Sequence, residues 1–483
     1  MGNWKDAFED ESAMLASRLI DQYGRLFRIK SLLGGNEIVL SDLKGIAYIL
    51  KNEVLYQKPE PTRYMLSRIT GHGVLVNEED NHKRQRRVMN PAFGPAQIRD
   101  MTEIFMEKSV QLRDAWAAQI SRDNGAVMVN ALSWLSKMTL DVIGHAGFDY
   151  QFNALSGKPN EFNEAFTHIM ESGNHITPGL LLRMFVPSIR SFPETDRFLR
   201  QAQATSARIG RELLETRKAM VSGGKDGYGR DLLSLLIRSN ASPEVPQNQR
   251  LSDEEVIAQV PTFLAAGHET TSTATTFTLF ALSSSPSATE IQSKLRAELL
   301  SVPTDNPTMD QLNALPYLDC VVRESLRLYA PVPTTSRVAT RDDIIPLAAP
   351  YRDKYGTWHD EFRVRRGQEI QIPIFAINKD TKIWGSDATE FRPERWNSLP
   401  ESVKDIPGIW GNMMTFLGGS HACIGWRFAL VEMKALIFTL IRAFEFELAI
   451  PKEDVLIKKA FPVHRPFVNG VGNELPLNVR LVQ

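Results

Sequence analysis

The stretch from Ser252 to Ser284 does most to limit how this chain can fold. It reads as one helix of about 32 residues, which at 1.5 Å per residue extends about 48 Å, enough to cross a domain. Ser252 and Glu255 form a capping box at its start. Val256, Val260, Phe263 and Leu264 continue the apolar run, and Pro286 lies beyond its end. Pro261 and Gly267 are both poor in a helix interior, so the pattern predicts a locally opened helix with freed backbone groups.

Elsewhere the periodicity is mostly helical. Residues 23–40 read as a β-hairpin around Gly34, Gly35 and Asn36. Residues 42–52 read as a short helix and 57–76 as irregular. Helical spacing dominates 95–150, 160–175 and 194–221. Residues 222–230 and 239–251 are loops. From 252 to about 450 the chain is mainly helical, with strand-like pieces around 337–373 and short strands near the end. The expected class is mainly α with small β-sheets. A chain of 483 residues has room for several domains. No long linker, internal repeat or charge run divides it, so a single domain over 1–483 is expected.

A formal net charge of −1 gives no reason to expect nucleic acid. Two cysteines, Cys320 and Cys423, cannot build a disulfide framework, which suits a reducing compartment or the cytosolic face of a membrane. The first eleven residues hold four acidic side chains, with neither a signal peptide nor an apolar run of membrane-spanning length. Asp6 stands where myristoylation after Gly2 would want Ser or Thr. The expectation is a chain without an N-terminal anchor, cytosolic or peripheral as it stands. Residues 178–193, PGLLLRMFVPSIRSFP, read either as a buried connection or as a lid that dips into a membrane.

The run FLGGSHACIG, Phe416 to Gly425, sets one thiol among glycines at the mouth of an apolar helix over 424–444. Near a helix N-terminus the dipole and free N–H groups favour the thiolate. Gly418 and Gly419 are expected to let the backbone lie against a flat ring, and Gly425 to let the next turn pack behind the thiol. A lone cysteine is most often a buried structural residue. In such a turn its thiolate is also able to ligate iron, and cysteine-ligated haem favours O–O cleavage.

This run resembles the haem-binding signature of the cytochrome P450 family at Phe416, Gly419, Cys423 and Gly425, with His421 where the family usually has Arg. The resemblance implies a cytochrome P450 fold and haem b (iron protoporphyrin IX), with Cys423 as the axial iron ligand. A histidine at 421 would make its propionate contact depend on pH. Ala266-Gly267-His268-Glu269-Thr270-Thr271 resembles the family's oxygen-activation motif and implies that Glu269 and Thr270 relay protons to dioxygen. A zinc-protease reading of the same letters fails, because Ser272 stands where the second His is needed.

Three further motifs follow in the family's order, and the resemblance spans at least residues 23–470. Glu324 and Arg327 share a helix face, a spacing that Glu194 and Arg197 repeat. With FRPERW, Phe391 to Trp396, the resemblance implies a buried triad of Glu324, Arg327 and Arg395 that supports haem incorporation and not chemistry. NHKRQRRVMNPAF, Asn81 to Phe93, resembles the helix in which a Trp and an Arg contact propionates. Here His82 takes the Trp place and Arg86 matches the Arg. Arg337 is expected at a propionate too. Lys83, Arg84 and Arg87 read as a solvated basic face or as a dock for an acidic electron-transfer partner. Asn378-Lys379 occupies a place where His-Arg is common.

The implied protein is a haem-thiolate monooxygenase of eukaryotic, microsomal type, placed by resemblance at the cytosolic face of the endoplasmic reticulum and in secondary metabolism. It would insert one atom of O2 into an apolar small molecule. The chain has no flavin or nicotinamide fingerprint, so an NADPH–cytochrome P450 reductase is the implied electron donor. The expected pocket walls are 57–76, 178–193, Phe263–Ala266, Pro331–Ser336 and Phe461–Val463. They fit terpenoid, steroid, fatty-acid and aromatic substrates alike. The alternatives are an isomerase, dehydratase or peroxygenase of the same family, or a haem sensor without turnover.

Overall fold

A computed structural model describes residues 15–30, 35–122, 125–174, 177–192, 196–222, 229–353 and 355–482. The class is mainly α with small β-sheets, as expected. Leu26–Lys30 and Asn36–Leu40 form the antiparallel hairpin, with Leu26 opposite Leu40; residues 31–34 of its turn lie outside the described residues. Asn36–Leu40 pairs in parallel with Glu369–Ile372, and Thr335–Ala339 and Tyr56–Gln57 complete a five-stranded sheet. Pro476–Leu481 lies between Ala126–Asn130 and Phe444–Leu448 in a second sheet. Two hairpins stand apart: Asp343–Arg352 with Trp358–Val364, and β1 (Val455–Ala460) with β2 (Val463–Val468).

Five helices build the site: α1 (Glu79–Met89), α2 (Ala131–Phe148), α3 (Gln259–Ser284), α4 (Pro316–Leu328) and α5 (Trp426–Ala443). One hydrophobic cluster runs through them from Leu40 to Val479. The central helix α3 is buried on nearly all sides although it is rich in threonine. Thr275, Thr276 and Thr278 donate their hydroxyls to the carbonyls four residues back, which lets polar side chains sit in the core.

The structure corrects several expectations. Residues 57–76 contain a helix, Glu60–Thr70; Pro61 looks like a breaker but sits in the first turn, where no N–H is needed. The span 95–150 is split by the strand Ala126–Asn130. The 252–284 helix is interrupted at Ala258, where a short helix, Asp253–Ile257, ends. Pro261 explains this position, since it cannot donate to Ile257 and its ring crowds that carbonyl. The carbonyls freed nearby are taken by the chain itself: Gln259 Nε2 donates to Glu255 O at 2.9 Å and Thr262 Oγ1 to Ala258 O at 3.0 Å. Gly267 opens nothing. A Cβ there would come within 2.9 Å of Ile143, so it serves the close packing of α3 on α2.

Residues 178–191 form a helix, Pro178–Phe185, and a 3-10 turn, Pro187–Ser191. Leu182, Phe185 and Phe192 are exposed, as is Phe198 beyond them, so the segment is not a buried connection. Arg190 pairs with Glu60 and lies 4.0 Å over the Tyr64 ring, which tethers the segment to the helix Glu60–Thr70. Residue 193 lies outside the described residues. Among the described residues no helix is long and apolar enough to cross a membrane.

Candidate haem site

Cys423 ends a tight loop in which its N–H donates to Phe416 O at 2.9 Å. Gly419 has a φ of 70°, and a Cβ there would lie 2.5 Å from Leu50 O; at Gly418 it would lie 1.8 Å from Pro407 O. These glycines therefore let the loop sit close against Leu50 and Pro407. Gly425 is the N-cap residue of α5, and the nearest neighbour of a Cβ there is Phe93, at 3.9 Å. Phe93 also packs edge-on to Phe263 of α3, with ring centroids 5.6 Å apart, and so joins the cysteine loop to the oxygen motif.

The Cys423 side chain is accessible, yet enclosed enough by protein for burial to push its thiol up. The Gly425 N–H and the Arg86 charge pull the other way but do not win. Contrary to the expected helix-end effect, the bare thiol is the favoured form. Cys423 stands two residues outside the cap, where desolvation exceeds the dipole.

Beside the loop, His421 stacks on His82 of α1 at 3.8 Å between centroids. Lys58 Nζ lies 3.0 Å from Glu78 Oε1 and 3.1 Å from His421 Nδ1, and His421 Nε2 lies 3.1 Å from Glu78 Oε2. Burial lowers the pKa of His421, and lowers His82 to about 3, with His421, Lys58 and Arg86 adding to the effect. Both imidazoles are thus neutral. Burial also lowers Lys58, to about 8. Burial works against the Glu78 carboxylate, but contacts with His421 and Lys58 hold it down to about 2. Arg86 donates to Ala422 O at 3.0 Å, and the buried Arg337 donates to Thr335 and Ser336 at 2.8 Å. Neither guanidinium has an ion-pair partner among the described residues. Four cationic groups, Lys58, Lys83, Arg86 and Arg337, thus stand with two carboxylates, Glu78 and Glu53; the Glu53 carboxylate lies within 4.8 Å of His82 and His421 and is paired with Lys83. That surplus fits a cofactor with two carboxylates beside a thiol that takes a metal, which is the chemistry of haem.

In α3, Thr270 donates its hydroxyl to Ala266 O at 2.6 Å. Glu269 is buried and turned to Arg465 of β2 in a close ion pair. Glu432 of α5 is fully buried, and burial pushes its carboxyl well up, with Thr271 opposing. Lys83 pairs with Glu53, Arg84 with Glu255 and Arg87 with Gln249, so that basic stretch is already engaged within the chain.

The structure brings Glu324, Arg327 and Arg395 together. Arg327 meets Glu324 through Nε at 2.9 Å and Nη2 at 2.7 Å, and Arg395 Nε donates to Glu324 at 3.2 Å. Trp396 Nε1 and the Arg392 N–H complete the carboxylate shell. Asn378 accepts from Met414 N and donates to Thr415, which ties it to the segment leading into the cysteine loop. Lys379 is lowered to about 7 by burial, over the Phe375 ring at 3.6 Å. Sequence reading missed Lys58, Glu78, Ser136 and Arg465. Only Arg465, a charge inside the apolar run Phe461–Val468, left a signal.

A mainly helical body, with a long helix beside a cysteine loop and a cationic cluster, is the arrangement of a haem-thiolate protein. The cytochrome P450 family model matches residues 1–466. Cytochrome P450 monooxygenase 128 of Postia placenta is 49% identical over 99% of this chain and 90% of its own length. Cytochrome P450 monooxygenase 205 of the same fungus is 48% identical over the same shares. Cytochrome P450 monooxygenase claQ of Ampulloclitocybe clavipes is 36% identical over 96% of this chain and 87% of its own. The chain belongs to the cytochrome P450 family. It is a monooxygenase and haem is its cofactor.

Proposed function

We propose that Cys423 is the axial ligand and that the enzyme oxidises an apolar small molecule of secondary metabolism. Electrons would come from an NADPH–cytochrome P450 reductase. The observation that carries this reading is the accessible, enclosed thiol of Cys423 beside a surplus of buried positive charge. Haem ligated by thiolate supplies reductive cleavage of dioxygen when bound. Cys423 would hold the iron as its thiolate, with the Gly425 N–H and Arg86 stabilising the sulfur charge. Lys58, His82, Arg86, Arg337 and His421 orient the propionates. Thr270 and Glu269 hold and move protons at their hydroxyl and carboxyl oxygens. Phe263 and Ala266 present an apolar wall that excludes water. The exposed Leu182, Phe185 and Phe192 would rest on a membrane surface, which suits the cytosolic face of the endoplasmic reticulum. Residues 1–483 act as one domain in this reading, and Glu324, Arg327 and Arg395 hold its framework.

The test is the carbon monoxide difference spectrum of reduced protein, wild type against Cys423→Ala. A red-shifted thiolate-type band that the variant loses is expected. A histidine-type band in wild type would remove Cys423 from the role. Product formation from a panel of apolar compounds, dependent on reductase and NADPH, then separates monooxygenation from isomerase, dehydratase, peroxygenase or sensor behaviour.

A further inference from the structure

We propose that Ser136 and His268 deliver protons to Glu269 from the α2 side of α3, and so act as positioning residues for oxygen activation. This rests on the reading of Glu269 as the proton-carrying acid. Ser136 is half-buried on α2, and its Oγ lies 2.7 Å from Nε2 of the buried His268. His268 Nδ1 lies 3.5 Å from Glu269 Oε1 and has no hydrogen-bond partner among the described residues. A buried polar nitrogen without a partner is costly, and this one is aimed at the acid. Arg465 holds the other carboxylate oxygen, Oε2, which leaves Oε1 as the acceptor. Thr139 donates to His268 O at 3.2 Å and the Phe166 ring packs edge-on to the imidazole at 5.9 Å, so the ring is held in place.

Burial lowers the pKa of His268, so the imidazole is neutral and carries one proton. When the Ser136 hydroxyl donates to Nε2, that proton sits on Nδ1, towards the carboxylate. A small rotation closes the 3.5 Å gap to hydrogen-bond length. The Nδ1–H bond then breaks as the Oε1–H bond forms, the Ser136 proton passes to Nε2, and a solvent water gives a proton to the serine oxygen, leaving hydroxide that the bulk buffer neutralises. One proton enters and no electron moves. Glu269 then stands beside Thr270 with a proton to give. Sequence alone conceals the route, because Ser136 and His268 lie 132 residues apart.

The test uses the haem-loaded full chain, reduced by an NADPH-dependent flavoprotein reductase under oxygen, with no added substrate. Oxygen lost as superoxide has taken one electron and no proton, whereas hydrogen peroxide has taken two of each. Slower proton supply therefore raises the superoxide share. Ser136→Ala and His268→Phe should raise it several-fold, while Ser136→Thr, which keeps the hydroxyl, should stay near wild type. Glu269→Gln is the reference. If it raises the share and Ser136→Ala does not, the route is wrong and the acid stands. If Glu269→Gln leaves the share unchanged, the reading of the acid fails, and the route with it. Ser136→Ala alters only a half-buried hydroxyl, so its carbon monoxide band should persist and its result decides even where His268→Phe loads poorly.

Discussion

Two charged clusters differ in how far the protein itself completes them. Around Glu324, both guanidiniums and the carboxylate are buried and every strong contact is made within the chain. Around Glu78, one carboxylate serves Lys58 and His421 while Arg86 and Arg337 go without ion-pair partners among the described residues. The first is a framework, since a buried network that satisfies all its members gains nothing from a ligand. The second holds more positive charge than the protein neutralises, which is what an anionic cofactor requires.

Glu324→Gln gives the largest expected effect. Removing that charge leaves the buried Arg327 guanidinium without a carboxylate, although Arg395 keeps Asp387, at a cost of about 3–5 kcal/mol. Thermal unfolding should shift sharply down and little haem-loaded protein should be recovered. An unchanged midpoint would break the contrast at its firmer end.

Glu78→Gln comes next. The folded-state carboxyl lies near 2 against an ordinary 4.5, so its stabilisation is present above pH 4.5 and is lost as pH falls towards 2. Wild type should exceed the variant by up to ~3 kcal/mol at neutral pH in urea unfolding. The gap should close in acid, and a gap independent of pH would assign Glu78 a packing role alone.

A smaller effect is expected for Lys58→Met, which removes a cation from the unfinished cluster. Loss of one charge-assisted contact predicts haem release faster by roughly tenfold, measured by transfer to apomyoglobin. Release at the wild-type rate would take Lys58 out of the cofactor's shell. Lys83→Ala should matter least. Its pair with the mostly buried Glu53, half exposed on the lysine side, is worth ~0.2–1 kcal/mol, so a larger loss of stability would show that α1 leans on this contact.

The cysteine loop, the oxygen motif and the Glu324–Arg327 pair were legible because each lies within a few residues of chain. The capping box at Ser252 and Glu255 formed as read, with both reciprocal bonds present. Errors came where a local signal had two outcomes. Pro61 starts a helix that was expected to be absent, and Pro261 moved the break in the long helix to Ala258.

Short-range sterics write periodicity, caps and turns into neighbouring residues, so the chain alone announced a long central helix, a thiol at a glycine turn and a mainly helical class. The stacking of His82 on His421, the Glu269–Arg465 pair across 196 residues and the Ser136–His268 contact were decided by packing. No local pattern carries them, because each depends on where several elements come to rest against the same core.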